Sequence, residues 1–423
     1  MADTASFSGA MKTDFIGPIR DGMHSGKVLL FGGDSGNPEG FQGIQRSAEH
    51  INAVGNEFRI PLKVKRNQAV GFRLENERLM DAATGEYTYM TEPLRAGYGV
   101  FNISGQLLKA AESDKGAFKS AFKQEMEDTV TSSKIDWNRA AYGDGSGTLA
   151  TVRTNYTASG GDGEIDVDTT INFRGGEIID FVNSSGTVIS SSHEVTAFDR
   201  ANRTITIDSG TTTEDDLTTS HFIVRASSSS TIAKPNNSQN REILGLDSIV
   251  SATGTLHGVN PVTYPIWKSY EADVDGALAD TDIHTALDEV GFESGLDPES
   301  TDGFVFVTTR GVRSRYAQTL TSLKQFTNAE ALHVRGGFKV LDFDGRPIYT
   351  DDQCQLGRFY GLSTKDLFWS EASDWEWLDK DGAVLSRVDG YDRYEAVLYK
   401  YANLGTTRRN GHFLLYGITD DTK

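Results

Sequence analysis

The feature that most constrains the fold is one long helical segment, because the other regular segments of the chain are short. Residues 113–142 place apolar side chains near helical spacing, at Phe118, Ala121, Phe122, Met126 and Val130. Ser113 or Asp114 can cap the start of this helix, and Gly143 can end it. At ~1.5 Å per residue, ~28 residues make a helix ~42 Å long. A solitary helix of that length buries little by itself, so it predicts cover by other segments or other copies of the chain.

The residues before the helix predict an arm followed by an extended loop. Residues 1–57 are Gly-rich and weakly periodic, which is typical of an arm that lies on another surface. Residues 58–112 alternate in short β-like pieces and predict a long, exposed hairpin. The pieces are "FRIPLKV", "AVGFRLE", "YTYMT" and "GVFNISG", with breaks expected at Gly71, Gly85, Pro93 and Gly97.

The residues after the helix predict an all-β unit and then a mixed region. Residues 148–228 combine Ser, Thr and Gly with strand-like pieces such as "EIIDFV", "EVTAFD", "RTITID" and "HFIVRA". The Ser-rich "SSSSTIAKPNNSQN" is a linker, and the unit, taken as residues 146–232, is expected to fold separately. Beyond residue 280, "TDIHTALDEVG" and "GVRSRYAQTLTSLK" predict helices, the first with an apolar face of Ile283, Ala286, Leu287 and Val290. Strands are expected at "FVFVTT", "FKVLDF", "RPIYT", "EAVLYKYANL" and "GHFLLYGI".

Charge and composition exclude several classes of protein. The net charge of −19 argues against a conventional nucleic-acid binder, because phosphate contacts need clustered Lys and Arg. The charge is uneven, with −1 over residues 1–112 and −11 over residues 236–423. The apolar runs are too short for a membrane span and no secretory signal is recognised, so we expect synthesis in the cytoplasm and no membrane partner. Cys354 stands alone, which excludes an internal disulfide.

Four aspartates in "FKVLDFDGRPIYTDD" raise the question of a metal site: Asp342, Asp344, Asp351 and Asp352. A calcium-binding EF-hand loop counted from Asp342 would need Gly and Glu where Pro347 and Gln353 stand. The dipeptide Asp344-Gly345 is instead typical of a hairpin turn, since both residues tolerate a positive φ. A structural turn is therefore favoured, and a metal-dependent hydrolase built on these aspartates is the weaker alternative.

Other motifs with chemistry attached miss their required spacing. The segment "DGMHSGKV" is too short for a phosphate-binding loop, and "GGDGEIDVD" is a single, shifted copy of a calcium-binding repeat. The eight histidines form no zinc motif, and no GxSxG nucleophile motif occurs. The sequence therefore predicts no catalytic residue, no cofactor and no metal ligand.

Several segments, taken in order, resemble the major capsid proteins of tailed bacteriophages, which have the Hong Kong 97-type fold. "RIPLKVKRNQAVGFRLENE" resembles the start of that family's extended loop, and "YGVFNISGQLLKAAESDKGAFKSAFKQEM" resembles its passage into the long spine helix. "YGDGSGTLA" resembles the exit from the helix. "FKVLDFDGRPIYTDD" resembles an axial-domain strand and turn with a Gly-x-Pro signature at Gly345, Arg346 and Pro347. "GLSTKDLFW" through "RRNGHFLLYGI" is similar to the return through the peripheral domain.

The resemblance implies an α+β fold divided as follows: N-terminal arm 1–57, extended loop 58–112, spine helix 113–147, inserted β domain 148–228, peripheral domain 229–280, axial domain 281–380, and return through the peripheral domain 381–423. It implies a structural protein, not an enzyme, which forms the hexamers and pentamers of an icosahedral shell around double-stranded DNA without reading its sequence. The expected location is the virion capsid, assembled in the host cytoplasm. Scaffolding and portal proteins are expected partners, and a decoration protein is a further candidate. The alternative within this fold is an encapsulin-like compartment shell.

The resemblance also directs attention to the loop as a contact between subunits. The candidate contact residues are Lys65, Arg66, Arg73, Glu75 and Glu77, and Arg66 and Arg73 are expected to pair with acidic groups of a neighbouring subunit. Some members of the family join subunits through a loop lysine and an asparagine. Here no lysine lies between Lys65 and Lys109, and neither Asn403 nor Asn410 aligns with the acceptor, so noncovalent contacts are predicted.

Overall fold

A computed structural model of the chain describes residues 44–46, 52–54, 57–106, 115–156, 163–208, 217–226, 237–296, 304–323, 341–379 and 384–420. Three sequence predictions lie outside these residues: the arm before residue 44, the capping of the long helix at residues 113–114, and the linker as far as residue 236. No helix in the described ranges is both long enough and apolar enough to cross a bilayer.

The long helix, α1, spans Lys115–Tyr142 and ends immediately before Gly143, as predicted. The shorter helices are Leu246–Ile249 (α2), Asp280–Ser294 (α3) and Arg310–Leu323 (α4), and a 3₁₀ turn covers Arg409–Gly411. The strands, in chain order, are Gln45–Arg46 (β1), Asn52–Val54 (β2), Glu57–Lys65 (β3), Glu86–Pro93 (β4), Arg95–Ser104 (β5), Thr148–Thr151 (β6), Gly163–Asp166 (β7), Ile178–Val182 (β8), Val188–Asp199 (β9), Thr204–Ile207 (β10), Phe222–Arg225 (β11), Tyr270–Gly276 (β12), Phe304–Thr308 (β13), Asp342–Phe343 (β14), Arg346–Thr350 (β15), Phe359–Ser363 (β16), Leu367–Trp377 (β17), Ser386–Arg387 (β18), Arg393–Thr406 (β19) and Phe413–Ile418 (β20).

One sheet, which we call the peripheral sheet, packs against α1. Its order is β1-β17-β19-β18, and β5 pairs with β19 along ten residues. The helix approaches β5 so closely that a Cβ at Gly97 would collide with the Trp137 indole, and one at Gly99 would lie 2.8 Å from Ser133 Oγ. The predicted break at Gly97 is therefore wrong, because this glycine lies inside β5 and makes room for the helix.

A second sheet closes into a small barrel. Its order is β6-β11-β8-β9-β10-β7, and an antiparallel bridge between Val152 and Val167 joins its two edges. The barrel has a hydrophobic core of its own, drawn entirely from residues 149–223. The chain enters and leaves the barrel at one place, since Asn240 N donates a hydrogen bond to Ser146 O over 2.8 Å.

A third sheet carries helices α3 and α4. Its order is β12-β20-β16-β13-β15-β14. The predicted apolar face of α3 is confirmed, because Ile283, Ala286, Leu287 and Val290 are all buried in the core of this region. The Asp344-Gly345 turn is confirmed too, since these residues have φ of 49° and 74° and connect β14 to β15 in a two-residue hairpin.

The hairpin of the extended loop is formed by β3 and β4, which pair antiparallel, with β2 beside β3. The segment between them, residues 66–85, contains no strand, so the prediction of a strand at "AVGFRLE" is wrong. The sequence there does alternate polar and apolar residues, but no other described segment of the chain pairs with it. A β-strand needs a partner for its backbone N–H and C=O groups, and alternation alone does not supply one.

Candidate assembly interface

The base of the hairpin is fixed to its own subunit. Lys65 Nζ lies 2.6 Å from Glu86 Oε2, and Tyr264 donates a hydrogen bond to Glu86 Oε1 over 3.1 Å. Their mutual hydrogen bond raises the pKa of Lys65 and, as its largest cause, lowers the pKa of Glu86. Met90 is completely buried in the core beneath the peripheral sheet. The hairpin therefore leaves the body of the subunit in a defined direction.

The tip of the hairpin, residues 66–85, exposes large apolar side chains. Phe72 has a relative exposure of 101%, which means that nothing in the described part of its own subunit covers it. Four more apolar side chains of the tip are exposed, namely Val70, Leu74, Leu79 and Met80. A projecting segment with so much apolar surface is costly in water and is typical of a surface that another molecule covers. We call this surface the apolar tip.

The five predicted contact residues do not all lie on the tip. Lys65 is at the base, paired with Glu86, whereas Arg66, Arg73, Glu75 and Glu77 are exposed beyond it. Two of them make local hydrogen bonds: Arg73 donates to the carbonyl of Phe72 over 3.1 Å, and Glu77 Oε2 accepts from the Leu74 N–H over 3.1 Å. Their contacts with a neighbouring subunit stay a prediction.

The apolar residues of the tip were missed as site residues, although a signal for them was present. Val70, Phe72 and Leu74 alternate with polar residues, and this alternation was interpreted as a strand within the subunit. The alternation does indicate apolar side chains that need cover, but no surface in the described part of the same chain covers them.

The outer face of the peripheral sheet carries an aromatic strip. Tyr98 is 59% exposed on β5, and its ring meets the Tyr401 ring edge-on with centroids 6.3 Å apart. The Tyr399 ring is tilted by 42° against the Tyr401 ring, with centroids 5.1 Å apart, and its hydroxyl donates a hydrogen bond to Glu376 Oε2 over 3.0 Å. Val100, beside them on β5, is more than half exposed. Tyrosines of this kind suit a contact surface, since each presents a flat apolar ring and a polar hydroxyl.

The inner face of the same sheet packs against α1. Lys400 is buried, with its Nζ 2.6 Å from Glu371 Oε1 and 5.9 Å from the ring centroids of both Trp137 and Trp375. The two indole rings meet edge-on at 5.6 Å. A buried lysine needs such a partner, because an unpaired charge in the interior is very costly. The aromatic strip therefore lies on a stiff support.

Three of the four aspartates in "FKVLDFDGRPIYTDD" are dispersed among structural contacts. Asp351 is buried and accepts hydrogen bonds from Asn138 over 2.9 Å and from Tyr142 over 3.0 Å, which joins α1 to the end of β15. Burial raises the pKa of Asp351. Asp352 Oδ1 lies 2.7 Å from Arg310 Nε, and Asp344 occupies the turn. Within the described residues, no three His, Cys, Asp or Glu side chains converge on a point that could hold a metal.

The two asparagines considered as cross-link acceptors are used inside the subunit. Asn403 Nδ2 donates to the carbonyl of Pro93 over 2.8 Å, and its Oδ1 accepts from the Leu244 N–H over 2.9 Å. Asn410 Nδ2 donates to the carbonyl of Glu293 over 2.9 Å. Both side chains are buried, so neither amide is presented to a lysine of another copy.

This chain is similar to known proteins in its three-dimensional structure. No protein-family model matches the sequence, and no curated protein matches it. A chain of the Cyanophage A-1(L) capsid asymmetric unit is similar over 88% of this chain and 90% of its own length, with a TM-score of 0.54 and 14% identity. The capsid of Cyanophage P-SCSP1u matches over 93% and 94% at 8% identity, with a TM-score of 0.42. An encapsulin complex from Synechococcus elongatus matches over 36% and 54% at 14% identity, with a TM-score of 0.25.

The likeness to the Cyanophage A-1(L) chain identifies the class of fold. The described sheets and helices form the α+β Hong Kong 97-type fold of a phage capsid protein, so the predicted fold class is confirmed. The other two TM-scores are too low to support an argument. The domain boundaries given by the sequence stay predictions.

Proposed function

We propose that this chain is the major capsid protein of a tailed bacteriophage, a structural subunit whose copies form the hexamers and pentamers of an icosahedral shell around double-stranded DNA. The observation that carries this proposal is the apolar tip on a projecting hairpin of a capsid-type fold. Five exposed apolar side chains on a segment of 20 residues are costly in water and favour burial against another surface. In a closed shell every copy can cover the tip of a neighbour.

The surface that fits the tip best is the aromatic strip of a neighbouring copy. It combines exposed Tyr98 and Val100 with the half-buried rings of Tyr399 and Tyr401. Glu376 and Glu395 lie on the same sheet, and the tip brings Arg66 and Arg73, whereas Arg78 is paired with Asp81 inside the tip. Opposite charges around an apolar centre favour one docking orientation, since they stabilise the correct contact and disfavour others.

The net charge of the chain agrees with enclosure of DNA. With −19 per copy, an inner surface made by this protein does not bind the phosphate backbone tightly, so DNA can be packed and released. We place the protein in the virion capsid after synthesis and assembly in the host cytoplasm. A scaffolding protein and a portal protein are the proposed partners, with a decoration protein as a further candidate.

The test compares assembly of the wild type with that of Phe72→Asp. The variant puts a charge at the centre of the apolar tip, and we expect it to form folded subunits but no shells, by electron microscopy and sedimentation. Because Phe72 touches so little of its own subunit, circular dichroism and thermal unfolding should be unchanged. Ala201→Asp, in an exposed turn of the barrel, is the matched control and should assemble normally. Normal shells from Phe72→Asp would contradict the proposed interface.

A further inference from the structure

Glu92 is a buried carboxyl group at the point where the hairpin joins the peripheral sheet. It is 0% exposed, although it lies one residue before the end of β4. Ser370 on β17 donates a hydrogen bond to Glu92 Oε2 over 2.6 Å. The other oxygen, Oε1, is buried and has no hydrogen-bond partner within the described residues. If this carboxyl ionised in place, Oε1 would carry negative charge with no hydrogen-bond donor beside it among the described residues. Such an unpaired buried charge is very costly in free energy.

The backbone of β19 makes room for this carboxyl. A Cβ at Gly405 would lie 2.8 Å from Glu92 Oε2 and 2.7 Å from the Phe368 ring, so any larger residue would fill the space. The same junction is held by the buried Met90 and by the hydrogen bond from Asn403 to the carbonyl of Pro93. The carboxyl therefore occupies a closed slot between β4, β17 and β19.

Among the described residues, several charged groups on the elements around the slot have other partners. On β3, Glu57 and Arg59 face each other at 3.9 Å, and on β17 and β19, Glu371 and Lys400 form their own buried pair. On β4 itself, Glu86 is paired with Lys65.

The segment that packs on β4 contributes a histidine rather than a cation. The carbonyl of His257 accepts the Thr91 N–H over 2.8 Å, and burial lowers the pKa of its imidazole to about 3, so the ring is neutral. Burial raises the pKa of Glu92 to about 7, and the hydrogen bond from Ser370 opposes this rise. The slot therefore favours a neutral acid up to neutral pH.

We propose that Glu92 is a proton-controlled latch, which holds the hairpin against the peripheral sheet while its carboxyl is protonated and loosens the junction when it ionises. An ionised carboxylate must reach water, and the direct way is for the end of β4 to lift from β17 and β19. Because β3 and β4 carry the apolar tip, the freedom of the tip then depends on pH. The latch belongs to a single chain, so it can be tested before any shell forms.

The test is hydrogen exchange of full-length, unassembled subunits between about pH 5 and about pH 9, corrected for the intrinsic pH dependence of exchange. Protection of the β3 and β4 amides in the wild type should fall about tenfold per pH unit as the pH rises from about 5 to about 7, because the carboxyl ionises near 4.5 once it is exposed and near 7 in the slot, and protection should level off above about 7. Glu92→Gln keeps the shape but cannot ionise, so its protection should not vary with pH. Ser370→Ala removes a hydrogen bond that favours the charged form, so the pH at which protection levels off should move upward.

The matched control is Glu75→Gln, which removes a carboxylate from the exposed tip of the same hairpin and should keep the wild-type pH profile in unassembled subunits. The latch is refuted by a wild-type profile that is flat, or by the same pH dependence in wild type and Glu92→Gln. If Glu92→Gln does not fold, a Ser370→Ala profile that levels off at the same pH as the wild type refutes the latch instead.

Discussion

Arg409 illustrates how one buried residue organises a long segment. It is 1% exposed, and its guanidinium donates hydrogen bonds to backbone carbonyls only, at Ser248, Ile249, Thr253, Gly254 and Trp267. Burial lowers its pKa to about 10, so it stays charged at neutral pH. The segment 248–267 contains little regular structure, and this fork of donors replaces the hydrogen bonds that a helix or strand would provide.

We expect Arg409→Lys to destabilise the subunit by about 3 kcal/mol, because three ammonium donors cannot serve five carbonyls and buried acceptors are left unpaired. Urea unfolding followed by tryptophan fluorescence measures this change. Arg408→Lys is the control, because Arg408 is half exposed and its Nε lies 3.7 Å from Asp366 Oδ1, which is long for an ion pair. Its effect on the free energy of unfolding should stay below about 0.5 kcal/mol. Equal effects of the two substitutions would contradict the role given to Arg409.

The buried His412 makes the free energy of unfolding of the subunit depend on pH in the acidic range. Its Nδ1 accepts the Ser363 N–H over 3.1 Å, so Nε2 carries the proton and donates to Thr406 Oγ1 at 3.0 Å. Protonation would turn Nδ1 into a second donor facing that N–H. Burial lowers the pKa of His412 to about 4, below the unfolded value of about 6.5.

Between pH 6.5 and pH 4 the unfolded state therefore binds more protons at His412 than the folded state does, and stability falls as the pH falls. The loss is about 1.4 kcal/mol per pH unit from this group, and it is absent above pH 6.5. Denaturant unfolding across this range should show a slope that is smaller in His412→Gln by about that amount. Identical slopes would mean that His412 already titrates normally in the folded state.

At the scale of elements, local pattern predicted most helices and strands because their periodicity is written in consecutive residues. The apolar face of α3 and the Asp344-Gly345 turn are such cases. The local sequence pattern could not predict which other segment each strand or helix contacts. Val70, Phe72 and Leu74 alternate like a strand without pairing, and the Val152–Val167 bridge that closes the barrel joins residues with no distinguishing local signal. The slot around Glu92 likewise depends on contacts distant in sequence.

The barrel should fold without the rest of the chain. Its core uses only residues 149–223, its ends meet at Ser146 and Asn240, and none of its large apolar side chains in the described ranges is exposed. We predict that a fragment of residues 146–240 is soluble, with β-type circular dichroism and a sigmoidal thermal transition. Asn237 belongs in the fragment, because its amide donates to the buried Asp180 over 3.1 Å. A spectrum of unfolded chain would contradict this autonomy.

At the scale of the whole molecule, the subunits should be joined without covalent links. Lys63 and Lys65 lie at the base of the hairpin, where Lys65 is paired with Glu86, and Asn403 and Asn410 are buried. Boiling mature particles in detergent should therefore release one band at 46.2 kDa. A ladder of heavier bands that survives reduction would show that linked subunits exist.

Copies of this chain are proposed to close into a shell around DNA, with the tip of each copy on the aromatic strip of a neighbour. Cryo-electron microscopy of particles purified from infected or expressing cells, with nuclease treatment before extraction, tests this proposal most directly. We predict icosahedral shells of hexamers and pentamers in which Phe72 is buried against Tyr98 of an adjacent copy, and nuclease-protected double-stranded DNA in particles from infected cells. Monomers that never assemble, or shells that hold protein cargo instead of DNA, would contradict the account.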